Sequence, residues 1–520
     1  MNLRDTTIGI EFGSTRIKAV MIDRRHNAIA SGSYGWENTL SNGIWTYSMQ
    51  EVLFGLQSCF KDLKMDFERR FGQRLTATGA IGISAMMHGY IALDEHDRLL
   101  VPFRTWRNTT TGEAAAELTE LFDFNIPQRW SVAHLYQAVL NNEEHVPMVS
   151  KVATLASYVH YLLTGCFVSG VGDASGMFPI DSTTITYDRK MEEKFNALLS
   201  KKGLKLKLDS VLPKVLKAGD DAGFLTSEGS LIIDPTGEFE SGIRMAPPEG
   251  DAGTGMVATN SVAVYTGNVS AGTSDFAMVV LDHIPGRHRE LDLVTTPSGE
   301  AVAMVHCNNC TTDIDNWIGL FGDFAKEFGM DIPKDELFSK LYGIALEGEP
   351  DCGGLLSCNY HSGEGVTDFD RGLPMFLHPT ESRMSVANFM RCHLYSALST
   401  LKIGMDVLKV ENIRINRILA HGGFFKTGMA GQRMLSAALG VPVSSMETAG
   451  EGGPYGMALL CAFMLWNEGE SLASYLEDKV YIGMEVSTIK ADASEFSGFD
   501  AFVANYRRLL EVERKAVEVF

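Results

Sequence analysis

In residues 8 to 23, IGIEFGSTRIKAVMID, apolar Ile8, Ile10 and Phe12 alternate with small or polar residues, and Ile17 to Ile22 resume the pattern after Gly13-Ser14-Thr15. A period of two interrupted by a glycine predicts a β-hairpin. Residues 262 to 282, VAVYTGNVSAGTSDFAMVVLD, repeat the design with Gly272-Thr273-Ser274 at the turn. The copies stand half a chain apart, which predicts two related halves. From 416 to 445 the chain reads as strand, Gly422-Gly423 turn and helix, the helix carrying Met434, Leu435 and Leu439 and stopping at Gly440 before Pro442. A further glycine cluster, from Gly450, leads into another apolar helix that reaches Phe463. Such glycines suit a flat base or ribose lying on the backbone, and equally a tightly packed helix.

One residue breaks the first apolar run. Glu11 stands at the strand end, beside a glycine turn that offers two hydroxyls. Backbone N–H groups of such a turn take phosphate oxygens without adding charge, and a nearby carboxylate can meet the cation that accompanies them. The plain alternative is an ordinary hairpin whose acid reaches solvent. Two such turns, one per domain, would clamp a polyphosphate when the domains close, with a hinge near residues 255 to 262. Between the hairpins, EGDAGTGMVATNS at 249 to 261 holds a lone Asp251 among small residues. It can take the proton of a hydroxyl that attacks phosphorus, or it can make an Asx turn or helix cap. A Walker loop would need GxxxxGK[ST] and a dinucleotide fold GxGxxG between the first strand and helix, and neither stands in that context.

Composition sets the scale. At 520 residues and 45% hydrophobic, the chain exceeds what one core holds, so two large domains are expected, 1–258 and 259–520. A net charge of −20 without a basic run argues against nucleic acid as a partner. No leader pattern and no long apolar stretch is present, so no membrane partner is expected and the cytoplasm is the expected compartment. Eight cysteines are too sparse for a disulfide framework, and Cys307-Asn308-Asn309-Cys310 lacks the second half of a zinc site; buried thiols are expected.

Taken in order, these motifs resemble the FGGY family of carbohydrate kinases. The family opens with DxGT or DxGS and a downstream basic residue, similar to Glu11-Phe12-Gly13-Ser14 with Lys18; its midpoint GD resembles Gly250-Asp251, and its GTS resembles Gly272-Thr273-Ser274. IGISAMMHGYIALD at 81 to 94 resembles the Met-His segment of xylulose-kinase-like members, Trp106-Arg107-Asn108 their WND, and VGDASGMFPID at 171 to 181 their SDASG. HGGFFKT at 421 to 427 resembles the family's GGGAKS, with Phe424 in place of a glycine. Further departures are Glu11 for the usual Asp, Ala252 for Asn, and a missing lysine near WSVAHLYQAV.

The resemblance implies an α/β fold of the two-domain, actin-like ATPase (ribonuclease H-like) type, with a cleft between duplicated domains, the first binding sugar and the second nucleotide. It implies ATP and Mg²⁺ as cofactors and a small ketose, a pentulose such as xylulose, phosphorylated at a primary hydroxyl. Asp251 would be the base; Met87, His88, Trp106 and Asp251 would touch the sugar; Glu11 and Asp251 would face the metal. Gly13, Ser14, Thr15, Lys18, Gly272, Thr273, Ser274, Gly422, Gly423 and Lys426 would hold the nucleotide. Kinases for ribulose, fuculose or glycerol, and a non-catalytic sugar- or nucleotide-binding regulator, are the alternatives. A homodimer is left open as the assembly.

Overall fold

A computed structural model describes residues 1–446, 452–484 and 486–520. The chain forms two compact units: Met1–Val262 with Leu293–Val302 and Glu451–Gly483, and Ala263–Asp292 with Ala303–Gly450 and Met484–Phe520.

The first unit is built on the predicted hairpin. Thr6–Phe12 runs antiparallel to Arg16–Asp23, which runs antiparallel to Ala28–Gly35; on its other edge Thr6–Phe12 runs parallel to Ala80–Ala85. Alternation sorts the two faces of the opening strand. Ile8, Ile10 and Phe12 are fully buried with Val52, Leu56 and Phe60 of helix Met49–Phe71. Thr7, Gly9 and Glu11 face the other way, toward helix Gly452–Trp466, where Thr7 Oγ1 donates to Ala458 O at 2.8 Å. A Cβ on Gly9 would lie 2.1 Å from Pro454 O, so only glycine lets this helix reach the strand.

The second unit repeats the arrangement. Thr266–Ala271 is antiparallel to Asp275–Val280 and parallel to Arg417–His421, and Ala301–Cys307 follows Asp275–Val280 as Ala28–Gly35 follows Arg16–Asp23. Matching strand order in the two sheets is the structural form of the repeat seen in the sequence. Helix Met429–Leu439 ends at Gly440 in the left-handed region, φ 73°, as its sequence predicts. Among the described residues no helix is long and apolar enough to cross a membrane. All eight cysteines are free thiols, and Cys307 and Cys310 are buried.

Candidate active site

Glu11 stands opposite Lys18 across the hairpin and beside Ser84 on the parallel neighbour. Its side chain points at the first turn of helix Gly452–Trp466, where a Cβ on Gly453 would lie 1.4 Å from Glu11 Oε2. Any side chain at Gly453 would therefore occupy the place of the carboxylate. Burial, and then the charge of Asp251, push Glu11 up to about 8, against the opposing pull of Lys18.

Asp251 opens helix Asp251–Ala258 but does not cap it; Gly250 is the cap residue. Its Oδ1 accepts instead from Met87 N at 3.2 Å and Ala252 N at 3.0 Å. Burial raises it to about 6, while these N–H groups hold it down. The helix position thus serves to aim the carboxylate at the Met87-His88-Gly89 turn. His88 has φ 70°, a left-handed conformation that strains a residue with a Cβ, and Nδ1 lies 3.2 Å from Gly176 O. That carbonyl can only accept, so it fixes the proton on Nδ1. Trp106 lies two residues beyond Arg104, whose backbone pairs with Tyr90, and it packs against the core of the first unit.

The two glycine turns share one device. In the first, Trp36 Nε1 donates to Gly13 O at 2.7 Å, Tyr47 OH to Ser14 O at 2.6 Å and Trp36 N to Thr15 O at 3.2 Å. In the second, Thr311 N donates to Gly272 O, Cys310 N to Thr273 O and Gly272 N to Ser274 O, at 3.0, 3.0 and 2.9 Å. With every carbonyl engaged, and Gly13 N–H and Gly272 N–H bonded to Arg16 O and Ser274 O, what the turns can offer an anion is the N–H groups and hydroxyls of Ser14, Thr15, Thr273 and Ser274. Lys18 is exposed one residue pair from the first turn. In the second unit Gly422, at φ 101°, packs its Cα against Ala271, the residue before the turn, so close that a Cβ would lie 2.4 Å from Ala271 O. This joins the turn to Gly423 and Lys426, both exposed.

Residues 6–233 match the N-terminal domain, and residues 267–465 the C-terminal domain, of the FGGY family of carbohydrate kinases. The chain belongs to that family. Its fold is accordingly the actin-like ATPase fold, and the protein is a sugar kinase. The kinase is 23% identical over 483 residues to a xylulose kinase of Haemophilus influenzae, covering 86% of this chain and 91% of that one. Among solved structures it resembles a xyloylose kinase from Brucella ovis (TM-score 0.80, 18% identity, covering 98% of this chain and all of that one). It also resembles a glycerol kinase from Plasmodium falciparum solved with ADP (TM-score 0.77, 15% identity, covering 98% of each).

In the kinase, then, the structure gathers Glu11, Asp251, Met87 and His88 in the first unit, and Gly272 to Ser274 with Gly422 and Gly423 in the second. Phe424 turns away from the exposed side of its loop: it is buried, with its ring 5.7 Å from that of Tyr342. Gly450, the start of the last glycine cluster in the sequence reading, lies outside the described residues, as does Glu451. Sequence reasoning missed Trp36 and Tyr47, which lock the first turn, and Glu249, whose carboxyl is buried against Gly172 and Asp173 two residues before Asp251. No local pattern marks the two aromatics, since their partners are backbone carbonyls. The chemistry of the donor set fits a hard divalent cation: burial and the charge of Asp251 raise the proton affinity of Glu11, and a cation would relieve both. Among the described residues no group of three His, Cys, Asp or Glu is placed to hold a metal ion by itself.

Proposed function

We propose that the kinase transfers the γ-phosphoryl group of ATP to a primary hydroxyl of a small ketose, a pentulose such as xylulose, with Asp251 as the base. The observation that carries this reading is the hydrogen bond from Met87 N to Asp251 Oδ1, which fixes a carboxylate against the Met-His turn. In the step itself the hydroxyl proton passes to Asp251, the new O–P bond forms, and the bond from the γ-phosphorus to the bridging oxygen breaks to release ADP. His88 orients the sugar through a ring whose tautomer is set by Gly176 O. The turns at 13–15 and 272–274 receive phosphate oxygens on N–H groups, Lys18 adds a point charge, and Gly422, Gly423 and Lys426 lie along the nucleotide. Glu11 and Asp251 would hold Mg²⁺, which when bound neutralises phosphate charge. In this reading residues 1–258 carry the sugar and the first phosphate turn, and 259–520 the nucleotide.

The xylulose-kinase relatives favour a pentulose, and the Met87-His88-Gly89 turn is the part of this chain that resembles them. ADP release measured over ketoses, aldoses, polyols and aldonates, with the product's mass determined, tests it. A pentulose phosphate should be the fastest-formed product. Faster turnover of glycerol or gluconate would replace the substrate, and ADP release without a phosphorylated sugar would remove transfer altogether.

A further inference from the structure

Glu249 immediately precedes the Gly250-Asp251 pair and is 1% exposed. Its strand, Glu249–Gly250, pairs with Ala80–Ala85, so its backbone is already fixed to the sheet. The side chain reaches a different segment. One carboxylate oxygen accepts from Gly172 N at 3.3 Å and the other from Asp173 N at 3.0 Å. A Cβ on Gly172 would lie 2.4 Å from Glu249 Oε2, so the segment is pressed onto the carboxylate.

That segment is tied on all sides. Gly170 N donates to Pro248 O at 2.7 Å, Ser175 Oγ to Gly172 O at 2.6 Å, and Thr295 Oγ1 to Val171 O at 3.0 Å. Asp173 Oδ2 accepts from Thr154, Ser157 and Ser169 hydroxyls at 2.5, 3.3 and 3.0 Å. At its far end Gly176 O meets His88 Nδ1. One side chain thus spans from two residues before Asp251 to the loop that sets the ring of His88.

We infer that Glu249 is a positioning residue for the sugar, holding the 170–176 segment so that His88 and Asp251 address the same substrate hydroxyls. This deepens the proposed function and rests on its assignment of His88 and Asp251. A carboxyl group is suited to the task because each of its oxygens, protonated or not, keeps a lone pair for one of the two backbone N–H groups, which an amide cannot match without turning its NH₂ toward one of them.

The test compares Glu249→Gln and Gly172→Ala with wild type and with His88→Ala, measuring kcat and KM for sugar and for ATP and checking folding by circular dichroism. Both positioning variants are expected to fold, to raise sugar KM roughly tenfold, and to leave ATP KM unchanged. A merely structural carboxylate would not divide the two substrates in this way. If His88→Ala raises sugar KM while both positioning variants keep it within about twofold of wild type, the inference about Glu249 is overturned. If His88→Ala itself leaves sugar KM unmoved, the sugar is held elsewhere and the underlying reading fails instead. Global unfolding of Glu249→Gln would make the carboxylate a determinant of the fold and overturn the inference as well.

Discussion

The chemistry of single side chains is set by what each is denied. Asp251 keeps two N–H donors and loses most of its water, which leaves it a carboxylate poised near neutrality. Asp251→Asn should bind sugar and ATP yet turn over about 10² to 10⁴ times more slowly; kcat against wild type checks it, and a loss of only severalfold would exclude Asp251 as the base. Glu11→Ala should raise the Mg²⁺ concentration needed for half-maximal rate, whereas Glu11→Asp should stay active with a changed preference between Mg²⁺ and Mn²⁺. A metal titration that does not move in Glu11→Ala would take this residue out of the reaction. Tyr47→Phe frees Ser14 O to turn toward an incoming phosphate, so ATP KM should rise with sugar KM unchanged. The roles of Glu11 and Asp251 are proposed from the sequence because an acid in an apolar strand and an acid among small residues are local anomalies. Tyr47 and Glu249 carry no such mark, since what distinguishes them is a backbone partner dozens of residues away.

At the scale of elements, periodicity and turn chemistry were enough for both hairpins, the Gly422 turn and the helix ending at Gly440, because each is decided within a dozen residues. Of the two readings of the glycine cluster before Phe463, the described glycines Gly453 and Gly456 bear out the tightly packed helix. Helix Gly452–Trp466 lies on the opening strand of the first unit, and Gly453 makes room for Glu11. Its sequence could not reveal the partner strand, which lies some four hundred residues earlier. Gly453→Ala must displace either the helix or the carboxylate. We expect a lower thermal midpoint together with a raised Mg²⁺ requirement, both measured on one preparation; a change in stability with an unaltered metal titration would separate the helix from the chemistry. Phe424 is the converse case, a departure from the family pattern that the second unit absorbs by burying the ring against Tyr342.

For the whole molecule, buried titratable groups make stability depend on pH in a direction that can be worked out. Burial raises Glu11 and Glu249 to about 8 and Glu364 to about 7, so between pH 5 and 8 the folded chain binds protons that the unfolded chain has released. Their contribution is therefore lost as pH rises through those values. Buried His134, held down to about 3, and His160 and His421, held down to about 4, act oppositely, but only below about pH 6.5 where unfolded histidine charges. Above that, the raised groups set the slope, His283 among them, held up by its bond to Glu411 O, and the metal-free protein should melt at a lower temperature at pH 8.5 than at pH 6.5. A flat or rising midpoint across that interval would contradict the assignment of these groups. The first unit also carries its own history of synthesis. Its sheet begins at Thr6, but one face of that strand is covered by a helix beginning at Gly452. On a ribosome adding ~5–20 residues per second, the Thr7, Gly9 and Glu11 face waits tens of seconds for its cover, bare to any chaperone or neighbouring nascent chain.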